Sequence, residues 1–381
     1  MNINNIVRKV YPKLTPYKCK LADLPVEEIK AILGKETVYK LSFNESPLSP
    51  SPKAIQAMTE SLGKLNLYPS SSGDPIMKKI AEIEGVSPEQ VILSNGADEM
   101  IILIAQTFLE PEDEVIIPKL SFIQYIAATN LMGATPVFSQ MNEDLSYDLD
   151  DILSKITSKT KVIFLCNPNN PTGTIMPKHE LVKFLSKVPE QILVVIDEAY
   201  QEYAGLPEFE SGVRHLNQHR FLFVVRTFSK AYSLAGARLG YGIGTPEVIA
   251  AINHVRPPFN VNAVVQAGAL ASLDDFEHLQ KAKVLNDQGK QLIYEAAESL
   301  GLPYLKSYTN FVYIDTKIDS DLVFEKLAEY GVIVRTLKGY GLDTSIRVSV
   351  GKQEEVLAFV EAFKEIAFIR QMCPKMEGES T

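Results

Sequence analysis

A chain of 381 residues, 46% hydrophobic and 22% charged, has material for more than one domain and a core large enough to enclose a cofactor pocket. Its formal net charge of -9 argues against a nucleic-acid partner, which needs a basic face, yet leaves room for a basic pocket. No run approaches the roughly 20 apolar residues that cross a bilayer, and the N-terminus lacks a signal-peptide pattern, so no membrane role and a cytoplasmic setting are expected.

The first 43 residues are irregular and read as an N-terminal arm that packs on a smaller domain or on a partner subunit. Residues 44–255 read as a large domain. There Ile76, Ile80 and Ile83 recur at helical spacing, as do Ile101, Ile104 and Ala105 with Phe108 one turn on. The runs Val115–Ile117, Val162–Leu165, Ile192–Ile196 and Phe221–Val225 are apolar throughout, with the helical stretch His179–Leu185 between two of them. Such strands, separated by helices, predict an α/β fold with a mostly parallel sheet flanked by helices. Pro257-Pro258 marks a change of texture, and residues 256–371 read as a smaller α+β domain. Helices are predicted over 262–273, 276–300, 321–330 and 352–370, and strands over Phe311–Ile314, Val332–Val334 and Ile346–Val350. Residues 372–381 read as a flexible tail.

Cys19, Cys166 and Cys373 are odd in number and widely spaced, with no C-x-x-C pair, so neither a disulfide framework nor a cysteine metal pair is expected. Of the five histidines only His215 and His219 fall at H-x-x-x-H spacing, and they lack the glutamate of H-E-x-x-H, so no metal site is expected.

In an open parallel sheet, ligands sit beyond the carboxyl ends of the strands. Three successive apolar runs end in chemistry-bearing residues. Val162–Leu165 leads into Cys166-Asn167-Pro168-Asn169-Asn170-Pro171-Thr172-Gly173, Ile192–Ile196 into Asp197-Glu198-Ala199-Tyr200, and Phe221–Val225 into Arg226-Thr227-Phe228-Ser229-Lys230. Each has a bland reading taken alone. Asn-Pro-Thr-Gly is good turn chemistry, Asp197 could cap a helix, and a lysine after a strand is usually solvated. Their conjunction in this order favours one catalytic edge.

With Asn95-Gly96-Ala97-Asp98, and with Arg238 eight residues after Lys230, these motifs make the chain resemble the fold type I pyridoxal-phosphate aminotransferases over nearly its full length. Within that class it looks most like the histidinol-phosphate aminotransferases. That closer likeness rests on Val255-Arg256-Pro257-Pro258-Phe259-Asn260-Val261, Thr309-Asn310-Phe311, Gly331-Val332-Ile333-Val334-Arg335 and Ile346-Arg347-Val348-Ser349-Val350-Gly351.

The resemblance implies pyridoxal phosphate as cofactor, held by Lys230 as a Schiff base, with Lys230 shuttling the Cα proton of the donor. It implies that Asp197 pairs with the pyridine nitrogen, that Tyr200 and Asn170 bond the phenolic oxygen, and that Phe122 stacks on the ring; plain core packing is the alternative for Phe122. Ala97 and Asp98 at a helix start, with Thr227, Ser229 and Arg238, would bind the phosphate. Tyr68 would reach the phosphate of a neighbouring subunit, which implies a homodimer. Arg347 and Arg335 would bind the anionic end of the substrate, Arg335 having a salt bridge as its bland alternative. Tyr17 would line the far end of the pocket.

The likeness frays near the substrate entrance, at Asn44-Glu45-Ser46-Pro47-Leu48-Ser49, at Leu67 and Ser70, and at Lys18-Cys19-Lys20-Leu21. Transamination from histidinol phosphate to 2-oxoglutarate leads. An aromatic or other amino-acid aminotransferase, a decarboxylase or oxidase on the same scaffold, and a cofactor-binding regulator module are the alternatives. The partners implied are a small-molecule amino donor and a 2-oxo acid.

Overall fold

The computed structural model describes residues 6–14, 20–205 and 207–372. The chain divides into two compact units. The first comprises Ser49–Asn170 and Thr174–Leu279 with the described part of Met1–Tyr17. The second comprises Pro171–Gly173 with the described parts of Lys18–Leu48 and Gln280–Thr381.

The first unit is built on seven strands: β1 (Val91–Ser94), β2 (Glu114–Pro118), β3 (Thr135–Ser139), β4 (Thr160–Cys166), β5 (Leu193–Asp197), β6 (Leu222–Thr227) and β7 (Gly240–Gly244). Their order in the sheet is β1-β7-β6-β5-β4-β2-β3. β2 to β6 run parallel to one another, and β7 is antiparallel to both β1 and β6. Successive side chains alternate across the sheet. Ile163, Leu165, Val194, Ile196 and Val224 enter one apolar core, and Val162, Phe164, Val195, Phe223 and Val225 enter another. Burial on both faces explains why these strands are apolar at every position.

β1, β3 and β7 were not expected. β7 reads Gly-Tyr-Gly-Ile-Gly, which lacks the β-branched run that signals a strand. The glycines are needed because a Cβ at Gly242 would lie 2.1 Å from the Phe223 ring. β3 carries Pro136 and lies at the sheet edge, where a missing N–H is tolerated.

Helix Ala263–Leu273 packs on helix Pro52–Ser61 within this unit. The contact is close, since a Cβ at Gly268 would meet Met58 Cγ at 2.6 Å. The units therefore divide at Leu279/Gln280, inside helix Phe276–Ser299, later than the Pro257-Pro258 break suggested.

In the second unit, strands Arg335–Thr336, Ser345–Ser349 and Phe311–Asp315 form an antiparallel sheet in that order. Val312, Ile314, Ile346 and Val348 pack there with Leu327 of helix Ser320–Glu329 and Phe359 of helix Gln353–Met372. Residues 20–43, read as part of an irregular arm, include helix Val26–Leu33 and the short strand Tyr39–Lys40. That strand pairs in parallel with Val332–Ile333. Ile29 of the helix is buried with Ala328 and Ile333. Among the described residues no helix is long and apolar enough to cross a membrane. Tyr17 and the segment from Cys373 to Thr381 lie outside the described residues.

Candidate active site

Because β4, β5 and β6 are parallel neighbours, their carboxyl ends lie along one edge of the first unit's sheet. The register sets Cys166 beside Asp197, and Asp197 beside Val225. Asn170, Tyr200 and Lys230 follow these ends directly. Asn170 and Tyr200 are buried and Lys230 is partly buried, its Nζ 5.7 Å from the centre of the Tyr200 ring.

The loop after β4 is tied down by its own asparagines and by Tyr147, which the sequence alone did not mark. The Tyr147 hydroxyl lies 2.8 Å from both Cys166 O and Asn169 Oδ1, sharing its one proton between them, and accepts from the Cys166 N–H at 3.0 Å. The Asn169 side-chain amide donates to Leu120 O at 2.9 Å. The Asn167 N–H donates to the carbonyl of Asp197 at 2.8 Å, joining this loop to β5. The Asn167-Pro168 bond is cis.

Asp197 is 3% exposed. Its Oδ2 accepts from the Tyr125 hydroxyl at 2.7 Å and its Oδ1 from the Ala199 N–H at 3.0 Å. Burial pushes its carboxyl up to about 6, the two hydrogen bonds pull it down, and the charges of Asp98 and Glu198 raise it again. A buried carboxylate with two hydrogen-bond donors and like charges around it suits a cationic ligand group. Tyr125 was not singled out from the sequence, although it stands three residues after Phe122. It stacks on Phe164 with centroids 4.6 Å apart, and Phe122 meets it edge-on at 5.8 Å. Phe122 is half-buried at this place.

The turn after β5 is braced by a buried ion cluster. Arg226 of β6 donates through Nε (3.1 Å) and Nη2 (2.9 Å) to Glu198, and through Nη1 to Glu84 at 2.5 Å. Glu198 also accepts from the Gly212 N–H at 2.6 Å and the Ser211 hydroxyl at 2.7 Å. Breaking one partner would leave an uncompensated buried charge, so this cluster holds Asp197 and Tyr200 in place.

Helix Gly96–Phe108 starts beside β7, which begins at Gly240. Its first-turn N–H groups have no intrahelical acceptor, and no Asn95 side-chain cap serves them. Gly96 has φ +80°, and a Cβ there would lie 2.7 Å from Arg238 Nη2. A Cβ at Gly240 would lie 2.7 Å from the Ala97 nitrogen. Arg238 adopts φ +58°, and its Nη2 donates to Asp98 Oδ2 at 3.2 Å. Thr227 Oγ1 accepts from the Ser229 N–H at 3.1 Å and lies 3.0 Å from Ser229 Oγ. Glycines thus keep open a cradle with helix N–H groups, a guanidinium and two hydroxyls, which is the donor set a phosphate needs. Buried Asp197 and this cradle together fit pyridoxal phosphate, with its cationic ring nitrogen and its anionic ester.

In the second unit, Arg335 and Arg347 are register partners on adjacent antiparallel strands. Arg347 is 6% exposed, and its Nη2 donates to Ser42 O at 2.9 Å. Arg335 is in an ion pair, its Nη1 bonded to Asp23 Oδ1 at 2.6 Å. Tyr68, in the first unit, is 83% exposed and stacks on Phe259 at 4.8 Å.

Residues 36–363 match the family of class I and II aminotransferases, and the chain belongs to it. It is a pyridoxal-phosphate-dependent aminotransferase of fold type I. Among curated relatives, the histidinol-phosphate aminotransferase of Caldicellulosiruptor saccharolyticus is 42% identical over 94% of this chain and 99% of that protein. That of Moorella thermoacetica is 39% identical over 93% of this chain and 94% of its own. The crystal structure of histidinol-phosphate aminotransferase from Sinorhizobium meliloti in complex with pyridoxal-5'-phosphate superposes with a TM-score of 0.85. It is 25% identical, with 96% of this chain and 98% of that chain covered.

Proposed function

We propose that the enzyme transfers the amino group of histidinol phosphate to 2-oxoglutarate, giving imidazole acetol phosphate and glutamate in two half-reactions at one site. The observation that carries the donor assignment is the register that sets Arg335 opposite Arg347, in a chain 42% identical to a histidinol-phosphate aminotransferase. Two planar guanidinium groups on one face suit a phosphate ester, and either can take a carboxylate in the return half-reaction.

When bound, pyridoxal phosphate supplies an electron-withdrawing ring that spreads the charge left on the donor's Cα. The Lys230 amine anchors the cofactor and is the base that takes and returns the Cα proton. Asp197 holds a proton at the ring nitrogen. Tyr200 and Asn170 orient the ring at its phenolic oxygen, and Phe122 covers one face. Ala97, Asp98, Thr227, Ser229 and Arg238 bind the phosphate. Tyr68, exposed with Leu62, Leu65 and Leu67 nearby in sequence, is proposed to serve the same phosphate in a second copy of the chain, making the enzyme a homodimer. A cytoplasmic setting is proposed with it.

A panel of amino donors tests the donor assignment. The visible spectrum of the cofactor-loaded enzyme should shift fully with histidinol phosphate and little with phenylalanine. Arg335→Ala should raise KM far more for histidinol phosphate than for phenylalanine. Equal losses on both would sink the phosphate-reading role of Arg335, and a full shift with phenylalanine alone would favour an aromatic aminotransferase.

A further inference from the structure

Directly opposite residues on antiparallel strands project from one face with Cβ atoms about 5 Å apart. In that arrangement Arg335 and Arg347 repel, and an arginine cannot shed its charge. Asp23 answers one of the two charges. Its Oδ1 accepts from Arg335 Nη1 at 2.6 Å, with the Asp23 side chain 3% exposed and that of Arg335 25%.

The carboxylate is itself fixed. Asp23 Oδ2 accepts from the Lys20 N–H at 2.8 Å, within the short turn Leu21–Asp23. Ser42 bonds the carbonyl of the neighbouring Ala22 at 2.9 Å. Each guanidinium lies over an aromatic ring, Arg335 at 6.0 Å from the centre of Phe43 and Arg347 at 5.1 Å from that of Phe311. A guanidinium has five N–H groups in one plane, and a contact at one Nη1 edge fixes where the rest point.

We infer that Asp23 is the positioning residue for Arg335. It anchors one edge of the guanidinium, aims the other toward the donor's phosphate, and offsets the repulsion from Arg347 between turnovers. The inference rests on the phosphorylated-donor reading above. It places specificity two residues beyond Lys18-Cys19-Lys20-Leu21, the stretch read as departing from the family's pattern.

The test compares Asp23→Asn and Asp23→Glu with the parent holoenzyme, using histidinol phosphate and its phosphate-free analogue histidinol. Asp23→Asn should raise KM for histidinol phosphate by about tenfold, the scale of one charge-assisted contact. The kcat with that donor, and the parameters for histidinol, should hold within about twofold. Asp23→Glu should recover part of the loss. A structural role alone would move both donors together, and that result overturns the inference, as does an unchanged or lowered KM for histidinol phosphate. Arg335→Ala is measured beside them. If it costs the phosphorylated donor selectively while Asp23→Asn does not, Asp23 is excluded and the donor reading stands. If Arg335→Ala costs both donors equally, or histidinol phosphate is no substrate, the donor reading falls and this inference falls with it.

Discussion

The Tyr125 hydroxyl donates to Oδ2 of Asp197 at 2.7 Å, and both residues are buried in the first unit. This bond works against the desolvation that drives Asp197 up to about 6. It favours the ionised carboxylate at neutral pH, the form that can hold a proton on a ring nitrogen.

Tyr125→Phe should therefore raise the carboxyl's pKa further. Cofactor affinity should fall most where Asp197 then becomes protonated, near pH 6, and recover by pH 8. Loss of a buried bond to a charged group should also cost about 2 kcal/mol of stability. Titration of the apoenzyme with pyridoxal phosphate at both pH values checks this. An equal loss at pH 6 and pH 8 would mean that Tyr125 only packs.

Lys230→Ala should abolish the visible absorbance of the covalently held cofactor and all measurable turnover. The fold should persist, because Lys230 is only partly buried. A spectrum and a thermal melt on one sample separate the two. A variant that keeps both absorbance and turnover would overturn the role of this lysine.

Gly96→Ala strains the chain twice. At φ +80° an L side chain costs about 1–2 kcal/mol, and its Cβ would lie 2.7 Å from Arg238 Nη2. The arginine must turn away from the helix start. Cofactor dissociation during dialysis should be faster by tenfold or more, while the Lys230 linkage still forms at high cofactor concentration. Unchanged retention would argue that Arg238 is no phosphate ligand.

The edge formed by β4, β5 and β6 was legible because strands buried on both faces are apolar throughout, so the first polar residue after each run marks its carboxyl end. Asn170, Asp197 and Lys230 could be read that way. Their supports could not. Tyr125 lies 72 residues from Asp197, and Asp23 lies 312 residues from Arg335, so neither pair leaves a local pattern. The reading of Arg335 held a phosphate role and a salt bridge as alternatives. The structure shows the salt bridge, with a buried partner. β7 escaped because Gly242 and Gly244 answer the bulk of Phe223 and Gly240 the close approach of Ala97, requirements of packing that no propensity encodes.

Glu202 offers a test of the buried cluster beneath the site. It is 6% exposed, Gln201 donates to its Oε1 at 2.9 Å, and its Oε2 has no hydrogen-bond partner among the described residues. Burial pushes its carboxyl from 4.5 up to about 7, against the pull of Arg226 and with the push of Glu84. The folded form thus keeps a proton that the unfolded chain releases above about 4.5. Stability from this group is fully present below that pH and is lost as pH rises to about 7, a total of about 3 kcal/mol at 1.36 kcal/mol per pH unit. Glu202→Gln is neutral at every pH and escapes the loss. Denaturant midpoints of the two proteins, both loaded with cofactor, should nearly coincide at pH 4.5. The variant's advantage should grow to pH 7 and then stay level, since every other titrating group is common to both. Parallel pH profiles would show that Glu202 is already ionised in the fold, with Arg226 answering three carboxylates rather than two.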